Sequence, residues 1–229
     1  MKTQYLAQPI MSTDQKLLGV EVLTRFQKDG QNLLSPTPAE IIQGWSIQKK
    51  RAYLIDLIYF ISKNESFFIE NELFCSLNID LKIVLLLKHD AYIQVLLQSM
   101  PYVKLQISED FPNIAKGIKG PDLKFLFNRN NSLFFNYLGI GNINIRNGDI
   151  SGFEVVKIDE GYFSTQFYRS SLPVLISNIK KYCPKIIISG VFSTELLKYL
   201  QEWDIWGVQG ELYGPVLLRN VNTFIFKRK

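Results

Sequence analysis

Residues 154–191, EVVKIDEGYFSTQFYRSSLPVLISNIKKYCPKIIISGV, carry the clearest structural pattern in the chain. Two short apolar runs, Glu154–Ile158 and Lys185–Val191, flank a stretch with helical spacing of apolar residues, Ser171–Tyr182. Both runs are continuously apolar rather than alternating, which is typical of strands covered on both faces in a parallel sheet. The segment therefore predicts a strand, a crossover helix and a second, parallel strand.

The same alternation extends along the rest of the chain. Further strands are predicted at Leu18–Arg25, Phe74–Ile79, Val103–Ser108 and Leu133–Leu138, and further helices at Pro38–Gly44, Ile47–Ser62, Asp80–Gln98 (with a break at His89 and Asp90) and Ser193–Trp203. Repeated strand–helix units without a Gly-rich dinucleotide turn favour a TIM-like (β/α) barrel over a Rossmann sheet. We expect an α/β fold with a single domain over residues 1–229.

Composition limits the class and the location of the protein. Its 229 residues are 47% hydrophobic and 21% charged, which excludes a disordered or fibrous chain. No apolar run approaches the roughly 18 to 20 residues of a membrane span, and the N-terminus lacks a secretory signal. The two cysteines lack metal spacing, and the net charge of +5 is spread along the chain. We therefore expect a cytoplasmic protein that contacts neither membrane nor nucleic acid directly.

Polar residues follow the predicted strands. In barrels of this kind the working residues lie at the carboxyl ends of the strands. Those positions hold Glu21, Asn78, Gln106, Glu109, Asn136, Tyr137, Lys157, Asp159, Ser189 and Gln209. For each residue alone, a hydrogen-bonded strand end is the better explanation. Together they predict a polar ring at one end of the barrel.

Several short motifs resemble one family in the correct order. Gly19-Val20-Glu21-Val22-Leu23-Thr24-Arg25-Phe26, preceded by Gln8-Pro9-Ile10, resembles the opening of the EAL family of cyclic-di-GMP phosphodiesterases. The later matches are Ser76-Leu77-Asn78, Leu105-Gln106-Ile107-Ser108-Glu109, Lys157-Ile158-Asp159, Gly190-Val191 and Val208-Gln209-Gly210. The resemblance covers essentially the whole chain. It implies a barrel of the EAL type.

Several residues differ from the family's motifs at positions that bear on its metal-dependent catalysis. Active members hold two divalent ions in a carboxylate-rich site, and such ions need several anionic oxygens. By resemblance, Glu21 and Asn78 occupy retained ligand positions, whereas Gln106, Asn136, Tyr137 and Ser189 are uncharged. Lys157 and Asp159 persist, and we expect them to form a buried charge pair. The resemblance implies vestigial positions only, with no catalytic residue, metal or cofactor and no binding of cyclic-di-GMP, although Arg25 and Gln209 are candidates to contact a phosphate and a base.

Three local stretches narrow the resemblance within the family. Phe67–Phe74, Leu85–Tyr92 and Leu138–Asn142 resemble the short, stand-alone degenerate EAL proteins of enterobacteria. Those proteins bind the FlhD subunit of the flagellar master regulator and block its action on promoters. The implied function is an inactive EAL-like regulator that binds FlhD and represses flagellar genes, with helices near Ile47–Ser62 or Asp80–Gln98 as candidate faces. The alternatives are a phosphodiesterase with an altered metal site and a metal-free cyclic-di-GMP receptor.

Overall fold

The computed structural model describes residues 2–28, 30–32, 36–114, 120–129, 131–138 and 150–226. The strands in these ranges are β1 Lys2–Met11, β2 Leu17–Lys28, β3 Gln31–Asn32, β4 Phe74–Asn78, β5 Val103–Ser108, β6 Leu133–Leu138, β7 Val155–Ile158, β8 Lys185–Ile188, β9 Gly207–Val208 and β10 Val216–Leu217. Every strand predicted from the sequence is present, with bounds that differ by a few residues.

Eight of the described strands close into a barrel. β2, β4, β5, β6, β7, β8 and β9 pair in parallel in this order. β1 closes the ring by pairing antiparallel with β2 and with β9, while β3 and β10 lie outside the ring. The predicted α/β barrel is confirmed. β1 and its antiparallel direction were not predicted from the sequence, because this stretch lacks a clear alternation. The single domain over residues 1–229 stays a prediction.

Helices cover the outside of the barrel. The predicted helix Ile47–Ser62 is confirmed, and so is the break at Asp90, whose carboxylate accepts hydrogen bonds from the amides of Tyr92 and Ile93 and caps the next helix. No described helix has the length and apolar character needed to cross a membrane. The helices are α1 Pro38–Gln43, α2 Ile47–Ser62, α3 Glu65–Glu70, α4 Leu81–His89, α5 Ala91–Gln98, α6 Pro121–Phe127, α7 Glu160–Gln166, α8 Ser171–Lys180, α9 Thr194–Glu202 and α10 Thr223–Phe226.

The barrel interior is apolar at the amino ends of the parallel strands and polar at their carboxyl ends. Phe74, Phe134, Val155, Ile10 and Ile187 form a separate buried cluster at the amino ends of the parallel strands. The Trp206 ring stacks on Phe74, with 5.8 Å between their centroids. Because side chains two residues apart share a face of a strand, the inward positions that follow Phe134 and Val155 are Asn136 and Lys157. The inward polar side chains at the carboxyl ends, which we call the polar layer, therefore lie directly above this apolar cluster.

Candidate functional site

Glu21, in the middle of β2, is the centre of the polar layer. Its side chain is only 4% exposed. Its Oε1 accepts hydrogen bonds from Asn78 Nδ2 at 2.7 Å and from Gln106 Nε2 at 3.0 Å. Its Oε2 accepts from Lys157 Nζ at 2.6 Å and from Gln209 Nε2 at 2.9 Å. Side chains from four other strands or strand ends thus converge on the Glu21 carboxylate.

Two further contacts extend this network to β6. Asn78 Oδ1 accepts from Gln106 Nε2 at 3.3 Å and from Asn136 Nδ2 at 2.9 Å. Within the described residues, the buried oxygens Gln106 Oε1 and Asn136 Oδ1 have no hydrogen-bond donor. The amides turn their NH₂ groups inward because the carboxylate at the centre accepts hydrogen bonds and donates none.

The charge on Glu21 is stabilised locally. Burial is the largest single influence and opposes ionisation. The positive charge of Lys157 and the hydrogen bonds from Lys157, Gln209 and Asn78 together outweigh burial and hold the pKa of Glu21 below its usual value. The site is therefore a closed, satisfied ion pair between Glu21 and Lys157 at neutral pH.

The expected pair of Lys157 with Asp159 is wrong. Lys157 donates to Glu21, and both side chains of that pair are about 5% exposed or less. Asp159 lies just past β7 and caps α7 instead, where its Oδ1 accepts from the amide of Tyr162 at 3.0 Å. The alternation of the strand explains the difference, because Lys157 faces the barrel interior while Asp159 already begins the next helix.

A cavity of about 340 Å³ opens above the ion pair. Asp159 and Ser189 line it together with Glu160 and Glu211, two acidic residues that the sequence analysis did not single out. Their signal in the sequence is their place directly after residues that were singled out, since Glu160 follows Asp159 and Glu211 follows the Val208-Gln209-Gly210 motif. The full lining is Gln8, Glu21, Leu23, Lys157, Asp159, Glu160, Ser189, Gly190, Gln209, Gly210, Glu211 and Pro215.

The remaining predicted positions differ in how far the structure describes them. Ser189 Oγ is buried and, as far as the described chain extends, has no partner. Glu109 is buried just after β5. Tyr137 belongs to β6, but its side chain lies outside the description, as do residues 139–142 of the loop that follows. The structure therefore brings Glu21, Asn78, Gln106, Asn136, Lys157 and Gln209 into one network, while Asp159 caps α7 instead.

The two residues considered for nucleotide contacts are engaged with other groups. Arg25 donates from Nε and Nη2 to Gln4 Oε1 on the neighbouring strand, at 3.0 and 2.7 Å. Gln209 uses its amide NH₂ group on Glu21. Gln8 links β1 to the segment after β9 by donating to the carbonyls of Gly210 and Tyr213, at 3.2 and 2.6 Å. These contacts stabilise the closed arrangement.

The donor set does not fit two divalent ions. Mg²⁺ and Mn²⁺ sites need several anionic oxygens, but the network has one carboxylate, and both of its oxygens already accept hydrogen bonds. A cation at this carboxylate would lie beside the ammonium group of Lys157, which is 2.6 Å from Glu21 Oε2. The described residues also contain no cluster of three or more His, Cys, Asp or Glu side chains suited to a metal.

Removing the Asp159 carboxylate should have a modest effect. Asp159→Ala loses one helix N-cap, so we expect the free energy of unfolding to fall by about 1 kcal/mol. Urea denaturation at neutral pH measures this change. Ser164→Ala, on the exposed side of the same helix, is the control. A loss several times larger would mean that Asp159 takes part in the buried charge network after all.

The barrel and its polar layer define the chain as a protein with the EAL-type fold. A solved structure of the EAL-like domain protein YdiV superposes with a TM-score of 0.86 at 23% identity and covers 97% of this chain and 95% of that chain. No family model matches the sequence.

Curated relatives of the chain are regulatory factors by name. YdiV of Escherichia coli (strain K12), named as a candidate anti-FlhC(2)FlhD(4) factor, is 27% identical over 222 residues, which are 95% of this chain and 92% of that protein. The anti-FlhC(2)FlhD(4) factor YdiV of Salmonella typhimurium (strain LT2) is 20% identical over 212 residues, covering 91% of this chain and 89% of that protein. Neither is named as an enzyme. The predicted resemblance to short degenerate EAL regulators is confirmed.

Proposed function

We propose that this protein is a catalytically inactive EAL-like regulator that binds the FlhD subunit of the flagellar master activator in the cytoplasm and represses flagellar gene expression. The observation that carries the proposal is the network around Glu21, in which the amides of Gln106 and Asn136 stand where, by the resemblance, the family's phosphodiesterases need carboxylates for a metal site. The relatives named for action against FlhC(2)FlhD(4) supply the partner. The barrel retains a shaped outer surface even though its interior lacks the catalytic groups.

The charge of the cavity above the pair argues against cyclic-di-GMP as a ligand. Its described lining contains four carboxylates, those of Glu21, Asp159, Glu160 and Glu211, and one cation, Lys157. A dinucleotide with two negatively charged phosphates is repelled by such a lining, and no metal site is present among the described residues to offset the charge. The acidic lining therefore favours a regulator that acts through protein contacts over a nucleotide receptor.

Binding of FlhD by the purified protein tests the proposal. We expect the full chain to co-elute with purified FlhD and to reduce swimming when it is expressed in a motile enterobacterium, with no change in cellular cyclic-di-GMP. We also expect no hydrolysis of cyclic-di-GMP at millimolar Mg²⁺ or Mn²⁺, with an active EAL phosphodiesterase as positive control. Failure to bind FlhD alone and in complex with FlhC would contradict the proposal. Hydrolysis, or saturable binding of the dinucleotide, would favour the corresponding alternative.

Two pairs of surface substitutions can locate the binding face. Tyr92 and Val95 are exposed on α5, one of the helices indicated by the sequence. Tyr168, just after α7, and Tyr199, on α9, are also exposed, and the rings of both contact the ring of Phe167. Stable interfaces bury roughly 800 Å² per partner and depend on a few aromatic anchors. We therefore expect that replacing both residues of one pair by serine weakens FlhD binding at least about tenfold. The same replacement in the other pair should leave binding unchanged and serves as the control.

A further inference from the structure

The cavity above the Glu21–Lys157 pair carries negative charge that the described residues leave unbalanced. Lys157 lies 2.6 Å from Glu21, so these two charges offset each other. The other charged side chains in the described lining are the carboxylates of Asp159, Glu160 and Glu211. None of these three forms an ion pair with a described lysine or arginine. The cavity, which we call the acidic cavity, is therefore a region of negative potential that attracts cations.

A glycine leaves room for Glu160 at the wall of the acidic cavity. Gly190 belongs to the same lining and has a φ of 80°, a backbone conformation that favours glycine. A β-carbon at Gly190 would lie 2.9 Å from Glu160 Cβ and 3.0 Å from Glu160 Cδ, so a side chain there would displace the glutamate. The Glu160 side chain thus packs directly against a residue that lines the cavity.

Two amide oxygens of buried side chains open into the acidic cavity. Gln8 and Gln209 both line it, and they are only 9% and 5% exposed. Gln8 Nε2 donates to the carbonyls of Gly210 and Tyr213, and Gln209 Nε2 donates to Glu21. The described residues donate to neither Oε1, and neither oxygen is fully enclosed by protein. Since the cavity is the open space beside both side chains, each Oε1 is an acceptor available to a ligand with N–H donors.

The spacing of these acceptors favours an organic cation over a metal ion. A divalent ion gathers about six oxygen ligands within about 2.6 Å. The described residues contain no group of three His, Cys, Asp or Glu side chains placed to share one ion. The cavity volume of about 340 Å³ leaves room for a small organic molecule, and Leu23 and Pro215 add apolar surface to the lining. The cavity thus suits a cation with several N–H donors and an apolar stem.

We propose that the acidic cavity binds an alkylguanidinium group, whose N–H groups donate to the amide oxygens of Gln8 and Gln209 while Asp159, Glu160 and Glu211 balance its charge. A guanidinium group has five N–H donors in one plane, whereas an ammonium group has three, and the guanidinium is more weakly hydrated. An arginine side chain of a protein and a free alkylguanidine offer the same chemistry. The binding site is independent of the proposed action on FlhD.

Calorimetric titration of the full chain with n-butylguanidine tests this site. We expect saturable binding of one molecule per chain at neutral pH and low ionic strength. The double variant Glu160→Gln with Glu211→Gln should bind about tenfold more weakly, because two charge interactions with the ligand are lost. Both residues are exposed, so their replacement should leave the fold intact. Glu70→Gln with Glu202→Gln removes the same charge from exposed positions outside the cavity and should bind as the unsubstituted protein does.

Two further titrations examine the selectivity of the acidic cavity. n-Butylamine has the same stem as n-butylguanidine but fewer donors, so it should bind severalfold more weakly. Gln8→Met keeps the length of the side chain but lacks the amide oxygen, so it should also weaken the binding of n-butylguanidine. If Gln8→Met alters the circular dichroism spectrum, the double glutamate variant decides the result.

Two other ligands distinguish the source of the guanidinium group. N-acetyl-arginine methylamide presents the side chain as it occurs within a polypeptide, whereas agmatine is a free alkylguanidine with a second positive charge. Tighter binding of the first indicates a protein arginine, and tighter binding of agmatine indicates a free guanidine. Absence of saturable n-butylguanidine binding, unchanged affinity in the double glutamate variant, or n-butylamine binding as tight as that of n-butylguanidine would each overturn the proposal.

Discussion

Glu21→Ala is expected to lower the free energy of unfolding by about 3–5 kcal/mol. The substitution removes the partner of a buried ammonium group, and an uncompensated buried charge is costly. It also leaves the amide groups of Asn78, Gln106 and Gln209 without the carboxylate to which they donate. Urea denaturation at neutral pH, followed by circular dichroism, measures the loss.

Matched variants separate the charge pair from simple loss of volume. Lys157→Met keeps the length of the side chain, and the double variant Glu21→Gln with Lys157→Met removes both charges. The loss of stability in the double variant should be clearly smaller than the sum of the losses in Glu21→Gln and in Lys157→Met. If Glu21→Ala cost no more than Asp159→Ala, the buried pair would not be the centre of the network. Because Glu21→Ala should reduce the folded fraction, it is unsuited to testing function in cells.

The pH dependence of stability follows from the same pair. The pKa of Glu21 is lowered from its usual value of 4.5 in the folded protein. A carboxyl group of this kind contributes its full stabilisation at pH values above its unfolded pKa and loses it as the pH falls through the lower, folded value. Acidification below about pH 4.5 should therefore destabilise the unsubstituted protein more steeply than the Glu21→Gln variant, which has no group to titrate at this position.

Much of the barrel could be predicted from the sequence. The continuous apolar runs, such as Glu154–Ile158, correspond to strands that are covered inside and outside, so their composition reflects their environment directly. β1 could not be predicted in this way, because ten residues of mixed polarity become a strand through pairing with β2. The helix Glu160–Gln166 was also missed, although the cap residue Asp159 just before it is a usual start signal.

The site, too, could be predicted only in part from the sequence. The carboxyl ends of parallel strands meet at one edge, so the convergence of Glu21, Gln106 and Lys157 followed from their positions in the strands. The partner of Lys157 did not, because Asp159 is close in sequence whereas Glu21 is 136 residues away. Which of two carboxylates a lysine meets depends on which way each side chain points. That direction changes where the strand ends and α7 begins.

Gln106→Glu is expected to destabilise the protein strongly at neutral pH instead of restoring a metal site. Gln106 Nε2 donates to Glu21 Oε1 at 3.0 Å. A glutamate there places a second carboxylate against Glu21, with Lys157 as the one cation in the network. We expect a loss of roughly 3 kcal/mol, because one of two buried like charges is left uncompensated.

This loss should diminish as the pH is lowered, and that dependence identifies its cause. Two adjacent carboxylates share a proton, so the pKa of one of them is raised above its unfolded value. The folded variant then binds a proton more readily than the unfolded chain and gains stability as the pH falls toward about 5. Gln106→Leu, which lacks the charge, should show no such gain in the same urea titrations. Mn²⁺ should not rescue Gln106→Glu, because Lys157 still holds Glu21 and the positions of Asn136 and Ser189 remain uncharged. Stabilisation of the variant by millimolar Mn²⁺ would contradict this interpretation, since it would show that a single added carboxylate is enough to rebuild the site.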